Sequence, residues 1–133
     1  HITYFDSPEQ YDVIFLGSSH TMYSVNPLDL WNNYGITSYN WGSPSCTLPM
    51  IYWKLKLLLK YQTPELVVVD CFRTIWKYKT LSEYRMHEGF DAFPLSFTKI
   101  QLIKDLMYDQ PRRSDGKKYS IDECVNVLIP LSA

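Results

Sequence analysis

Three short apolar runs are spaced along the first half of the chain, at residues 13–16, 36–41 and 66–69. Gly17 and Gly42 directly follow the first two runs. The first and third runs are continuously apolar and rich in β-branched residues, which is typical of parallel strands covered on both faces. We therefore expect buried parallel strands at these positions.

A helix is predicted between the first two strands. Asn26 is a favoured N-cap residue, Pro27 suits the first helical position, and Asp29 complements the helix dipole in the first turn. Gly35 supplies a left-handed stop directly after Tyr34. Both ends of this helix are thus predicted from local chemistry alone.

Further helices are predicted in the rest of the chain. Residues 49–61 have a helical pattern that is apolar on most sides. Ser96 can cap another helix that runs to about Tyr108, and its apolar face would consist of Ile100, Ile103, Leu106 and Met107. After a polar loop at residues 109–118, Ser120 and Glu123 have the spacing of a capping box and predict a last helix.

The alternation of strands and helices predicts the fold class. Strand–helix–strand–helix–strand at this spacing implies right-handed crossovers, and hence an α/β fold with a parallel sheet and helices on its faces. Three strands are fewer than the ~5–6 of an average sheet. We therefore expect residues 1–133 to form a single domain or the N-terminal part of one.

Composition and charge narrow the range of partners. With 46% apolar and 20% charged residues, the chain resembles a globular domain and not a coiled coil or a disordered tail. Its formal net charge of −1 gives no reason to expect nucleic acid as a partner. The longest apolar stretch, residues 48–59, contains Lys54 and Lys56 and falls short of the ~18 apolar residues of a membrane segment. We expect no membrane segment in this chain.

The three cysteines, Cys46, Cys71 and Cys124, are widely spaced and odd in number. No Cys-x-x-Cys or Cys/His spacing is present, so we expect neither a metal site nor a disulfide framework, and no cofactor. Because Cys71 follows an apolar run, we expect it to be a small buried residue.

Candidate chemistry lies at the predicted carboxyl ends of the strands, where parallel sheets bind ligands. These ends read Gly17-Ser18-Ser19-His20, then Gly42-Ser43-Pro44-Ser45, then Asp70-Cys71-Phe72-Arg73. A serine on a tight turn, such as Ser19, offers an exposed hydroxyl, and the backbone amides of Ser19 and Gly42 could together bind an oxyanion. The alternative is that both segments are ordinary strand-to-helix turns.

Residues 12–20, Asp-Val-Ile-Phe-Leu-Gly-Ser-Ser-His, resemble the first block of the SGNH/GDSL hydrolase superfamily, in the branch with Gly-Ser-Ser-His. The similarity continues through Tyr39-Asn40-Trp41-Gly42 and covers about residues 10–75. It implies a three-layer flavodoxin-like sheet, with Ser19 as the nucleophile and the amides of Ser19 and Gly42 as oxyanion donors. It also implies an esterase or acyltransferase acting on O-acyl groups of a carbohydrate or cell-envelope polymer.

The chain departs from the family pattern at two places. Asp70-Cys71-Phe72-Arg73 stands where the family has Gly-x-Asn-Asp with its third oxyanion donor. The family's Asp-x-x-His pair, which supplies the general base, does not occur in these 133 residues. We therefore expect little ester turnover from this chain, with the Asp/His block of the domain lying beyond Ala133.

The remaining polar candidates have supporting roles. His20 neighbours Ser19 and would point away from it, so we interpret Ser18 and His20 as residues that shape the turn and line a substrate pocket. Arg73 could hold an anionic group of the substrate or pair with Asp70. His87 follows Glu83 by four residues, which predicts a surface pair on a helix.

Two other functions remain open from the sequence. The same scaffold without a base could be a non-catalytic domain that binds a carbohydrate or another ligand. The loop from Gly17 to Thr21 could instead cradle the phosphate of a flavin nucleotide, as in flavodoxin-like domains, although no glycine-rich nucleotide motif accompanies it. The oligomeric state is not predicted. The protein would be extracellular or in the cell envelope if an upstream signal has been removed, and otherwise cytoplasmic.

Overall fold

The computed structural model describes residues 9–72, 82–91, 93–110, 116–129 and 131. It has an α/β fold, as predicted, with a three-stranded parallel sheet. The strands are β1 (Val13–Gly17), β2 (Ser38–Gly42) and β3 (Leu66–Val69), in the order β2-β1-β3. Their register places Gly17 opposite Gly42 and Leu16 opposite Val69, so the three carboxyl ends lie level with one another.

Helices connect and cover the strands. In chain order they are α1 (Ser19–Ser24), α2 (Pro27–Tyr34), α3 (Leu48–Leu58), α4 (Glu83–Phe90), α5 (Phe97–Ile103) and α6 (Ile121–Asn126). The helix predicted to run from Ser96 to Tyr108 has this extent, but its last five residues, Lys104–Tyr108, have π-helical hydrogen bonding. Helix α1 is not predicted by the sequence, because its six residues carry no apolar periodicity.

The predicted helix ends are confirmed where they depend on local chemistry. The Asn26 side chain accepts a hydrogen bond from the Leu28 amide, and Gly35 ends α2 with a φ of 66°. Ser120 and Glu123 form the predicted capping box, in which each side chain accepts a hydrogen bond from the backbone amide of the other.

The prediction that β3 is buried on both faces is wrong. Leu66 is 54% exposed, and Val68 and Val69 are also exposed. Both β2 and β3 are edge strands, but among the described residues only Val67 of β3 packs against the core, so the other side chains of β3 stay exposed. Cys71, just beyond β3, is likewise exposed and not buried as expected.

The hydrophobic core lies between the sheet and the helices that follow β2. Ile14 and Leu16 of β1 are fully buried in it, as are side chains of α3, α4 and α5. Trp41 at the end of β2 packs on Phe93, with ring centroids 4.7 Å apart. Within the part of the chain that the structure describes, no helix has the length and apolar character needed to cross a bilayer.

Candidate active site

The three segments predicted to carry chemistry meet at one edge of the sheet. The Ser43 amide donates a hydrogen bond to the Gly17 carbonyl (3.1 Å), which joins the ends of β2 and β1. The Asp70 amide donates to the Leu16 carbonyl (2.9 Å), which joins the end of β3 to β1. The serine turn after β1 therefore lies between the two flanking strand ends.

Ser18 is the buried centre of this edge. It is the N-cap of α1, and its Oγ accepts a hydrogen bond from the His20 amide at 3.3 Å. The same hydroxyl donates to Oδ2 of Asp70 at 3.0 Å. Only 1% of Ser18 is exposed, and its hydroxyl connects α1 to the end of β3. Its role in lining a substrate pocket stays a prediction.

Asp70 collects hydrogen bonds on both carboxylate oxygens. The Phe72 amide donates to Oδ1 at 2.8 Å, and the Thr21 hydroxyl joins Ser18 on Oδ2 at 3.3 Å. The Phe72 amide is the main cause that lowers the pKa of Asp70 below its ordinary value, with the Ser18 and Thr21 hydroxyls adding to it against the opposing effect of burial. Asp70 is therefore a carboxylate at neutral pH.

Gly17 makes this arrangement possible by having no side chain. A Cβ atom at this position would collide with the Thr21 hydroxyl and would lie 2.5 Å from Cβ of Asp70. The glycine that ends β1 therefore allows α1 and the end of β3 to pack close to each other.

Ser19, the predicted nucleophile, occupies the first position of α1 and is partly exposed. Across the described residues, no hydrogen bond to another side chain holds its hydroxyl, in contrast to the buried Ser18. The hydroxyl of Ser19 is thus accessible at the strand edge, as nucleophilic attack requires.

The amide of Gly42 is already occupied within the chain. It donates a hydrogen bond to Oδ1 of Asn40 at 3.0 Å, and the Asn40 amide group in turn donates to the carbonyls of Thr21 (2.9 Å) and Val25 (2.8 Å). The oxyanion role predicted for Gly42 therefore requires its N–H to exchange Asn40 for the substrate.

Gly42 also has a packing role that the sequence analysis did not foresee. A Cβ atom there would lie 2.5 Å from the Met22 amide nitrogen and 2.8 Å from the Ser18 carbonyl oxygen. These are backbone atoms of the turn and of α1, which cannot move aside as a flexible side chain could. The glycine lets α1 lie directly against β2.

His20 lies at the exposed rim of the site. Its Nδ1 is 3.3 Å from Oγ of Ser18, and its ring packs on the exposed ring of Phe72 with centroids 4.1 Å apart. Its role as a substrate-binding residue stays a prediction. Arg73, the other predicted binding residue, lies outside the described residues.

His87 is placed differently from the sequence-based expectation. It lies on a helix, as predicted, but it is buried, and its Nδ1 is 2.7 Å from Oδ1 of Asp91. The expected surface pair with Glu83 is wrong, because α4 turns His87 toward the core. The other oxygen of Asp91 accepts a hydrogen bond from the Leu131 amide, which ties the pair to the end of the chain.

A buried lysine near the same strand end was also not foreseen. Lys54 of α3 has no exposed surface, and its Nζ lies 2.7 Å from Oγ of Ser43 and 5.0 Å from the centroid of the Trp41 ring. Burial lowers the pKa of Lys54. The apolar pattern of α3 does not predict the burial of Lys54, because lysine is usually exposed.

Asp70, Asn40 and Phe72 are the site residues that the sequence analysis missed as such. Their signal was present in part: Asn40 falls within the motif that carries the family resemblance, and Asp70 ends the third apolar run. What the sequence could not show was that Ser18 and Thr21 both reach the Asp70 carboxylate.

The described ranges contain no group of three His, Cys, Asp or Glu side chains that could hold a metal ion. Comparison with protein-family models, with curated proteins and with solved structures gave no match. The functional interpretation therefore depends on the residues of the site.

Proposed function

We propose that the chain is a serine esterase or acyltransferase-like domain that acts on O-acyl groups of a carbohydrate or cell-envelope polymer. Ser19 is the nucleophile, and the amides of Ser19 and Gly42 are the oxyanion donors. In this proposal the sheet and its helices are part of a three-layer, flavodoxin-like domain of the SGNH type.

One observation carries the proposal: at the carboxyl edge of a parallel sheet, just after a buried strand, Ser19 presents a hydroxyl that no side chain among the described residues holds. Its neighbours Ser18 and Thr21 are anchored on Asp70, so the turn that presents Ser19 is fixed by hydrogen bonds on either side of it. A fixed turn lowers the cost of positioning the nucleophile for attack on an ester carbonyl.

The proposal also explains why this chain should turn over esters slowly. The buried His87–Asp91 pair is held within α4, and its hydrogen bonds lead to the end of the chain and not to Ser19. A positioned general base contributes typically ~10²–10⁴-fold. Without that contribution we expect ester hydrolysis close to the background rate.

The test is covalent labelling of the chain with a fluorophosphonate, followed by peptide mass spectrometry. Because the probe also reacts with an activated hydroxyl, we expect slow formation of the adduct, rising with probe concentration, on the peptide that contains Ser19, and none in Ser19→Ala. Ser43→Ala is the matched control, because Ser43 is a buried serine at the neighbouring strand end, and this variant should label like the wild type. Labelling that persists in Ser19→Ala would overturn the proposed nucleophile.

A non-catalytic carbohydrate-binding domain is the second candidate, and one observation favours it. The Gly42 amide is engaged by Asn40, so the oxyanion donor is not free in this structure. Saturable binding of a carbohydrate together with complete failure of fluorophosphonate labelling would favour binding over catalysis.

A further inference from the structure

The hydrogen bonds around Ser18 determine which nitrogen of His20 carries the proton. A serine hydroxyl has one proton to donate and two lone pairs that accept. The ionised carboxylate of Asp70 can only accept, so the Ser18 proton must point to Asp70. One lone pair of Ser18 is taken by the His20 amide. The close contact with Nδ1 of His20 is therefore favourable only if Nδ1 is protonated and donates.

We propose that, in the neutral imidazole of His20, Asp70 acting through Ser18 holds the proton on Nδ1. Nε2 of His20 then presents a lone pair at the exposed rim of the site, where it accepts a hydrogen bond from a hydroxyl of the bound carbohydrate. Phe72 forms the apolar wall of this subsite. The choice of a carbohydrate as the ligand rests on the proposed function, whereas the tautomer of His20 does not.

The surroundings of His20 fit a ligand that carries both hydroxyl groups and C–H faces. His20 is exposed, and half of Phe72 is exposed beside it, with the two rings 4.1 Å apart. An acceptor of fixed direction next to an aromatic face matches a sugar ring, which offers hydroxyl donors at its edge and an apolar surface on its face. A neutral imidazole suits this role because only the neutral form has an acceptor nitrogen.

Asp70 is thus a positioning residue and not a group that touches the substrate. Its carboxylate is held by the Phe72 amide on one oxygen and by hydroxyls on the other. The histidine tautomer is set by the hydrogen bond that the other ring nitrogen makes. A buried hydroxyl therefore connects Asp70 to a ring nitrogen that faces solvent.

The first experiment measures the tautomer by long-range ¹H–¹⁵N NMR on the chain labelled with ¹⁵N-histidine. The spectra are recorded at about pH 8.5, well above the ordinary imidazole pKa of ~6.5. The chain has three histidines, and the signals missing in His20→Gln identify His20. We expect the pattern of the Nδ1–H tautomer; an Nε2–H pattern in the wild type would overturn the proposal.

Asp70→Asn provides the sharper test. The Phe72 amide should keep the amide oxygen at the Oδ1 position, so the amide nitrogen would face Ser18 and donate to it. The Ser18 proton would then turn to His20 and convert it to the Nε2–H tautomer. Thr21→Val is the matched control, since it removes the other hydroxyl on Asp70 without touching Ser18, and it should leave the tautomer unchanged. A tautomer that is the same in Asp70→Asn and the wild type would contradict the relay through Ser18.

The second experiment tests the ligand class with methyl β-glucopyranoside as the probe. We expect a saturable shift of the His20 Nε2 signal toward that of a hydrogen-bonded acceptor nitrogen, and no such shift with 2-methoxytetrahydropyran, which lacks the hydroxyls. Phe72→Leu should keep the tautomer but weaken binding about three- to tenfold. Equal shifts with both probes, or none with either, would overturn the subsite.

Neither measurement requires turnover, so failure of the two proposals can be told apart. Ser19→Ala should retain the tautomer and the sugar-dependent shift. If fluorophosphonate labelling fails while these signals persist, the nucleophile proposal is wrong and the subsite stands.

Discussion

Two charged side chains near the ends of the strands have opposite environments. Asp70 is partly exposed and receives hydrogen bonds from two hydroxyls and a backbone amide. Lys54 is fully buried, and its amine donates a hydrogen bond to the Ser43 hydroxyl and lies over the ring of Trp41. The pKa of Asp70 and the pKa of Lys54 are both lowered. A lower pKa favours the charged form of an acid but the neutral form of an amine. Asp70 is held in its charged form, whereas Lys54 is driven toward its neutral form.

The comparison shows that the balance between burial and hydrogen-bond donors, and not closeness to the site, decides whether a charge is kept. A buried ion without an opposite charge costs several kcal/mol, so burial favours the neutral amine. Hydrogen-bond donors directed at a carboxylate stabilise its charged form. We therefore interpret Asp70 as part of the site and Lys54 as a core residue whose aliphatic stem fills space between α3, β2 and Gly89.

The largest expected effect comes from Lys54, where two substitutions distinguish the contribution of its aliphatic stem to stability from that of its amine. Lys54→Ala should destabilise the protein by about 2–5 kcal/mol, as truncations of buried long side chains do, because it leaves a cavity. Lys54→Met keeps most of the stem and should stay within about 1.5 kcal/mol of the wild type. Urea unfolding followed by tryptophan fluorescence measures both, and equal losses in the two variants would show that the amine is essential.

The pH dependence of the same variants provides the control. Because the pKa of Lys54 is lower in the folded protein, the unfolded chain binds more protons between that value and the ordinary ~10.4, so stability should rise with pH in this window. Lys99 is also buried with a lowered pKa and contributes in the same direction. Lys54→Met should therefore reduce the rise toward alkaline pH without abolishing it.

Removing the charge of Asp70 should have a smaller effect. Asp70→Asn replaces charge-assisted hydrogen bonds with neutral ones and should cost about 1–2 kcal/mol at pH 7. The folded pKa of Asp70 is lowered, so its contribution is present above the unfolded value of ~3.9 and is lost as pH falls through the folded value. Unfolding measured between about pH 5 and pH 2 should thus show a weaker acid dependence in the variant.

The smallest expected effect tests how much one hydrogen-bond partner of Asp70 contributes to the stability of the protein. Thr21→Val removes the longer of the two hydroxyl contacts, at 3.3 Å, while Ser18 and the Phe72 amide remain. We expect a loss of about 0.5–1 kcal/mol, measured by the same unfolding experiment at pH 7. A loss as large as that of Asp70→Asn would mean that Thr21 and not Ser18 dominates the site.

The sequence by itself determined the features that depend on near neighbours. Asn26 begins α2 and Gly35 ends it, and the capping box of Ser120 and Glu123 begins α6. These ends could be predicted because a helix cap depends on residues only a few positions apart in the sequence. The strand–helix alternation was enough to place the serine turn, Gly42 and Asp70 at one sheet edge, since parallel strands end on the same side.

The tertiary structure alone decided which side chains meet there. Ser18 and Asp70 are 52 residues apart in sequence, and Lys54 reaches Ser43 from a different helix. No local pattern encodes such pairs, because they depend on the register of two strands and on the depth at which a helix packs. The same holds for the exposure of β3, which depends on the elements that pack against its faces. A continuously apolar run predicts a strand, but the elements that pack against the strand decide how far its side chains are buried.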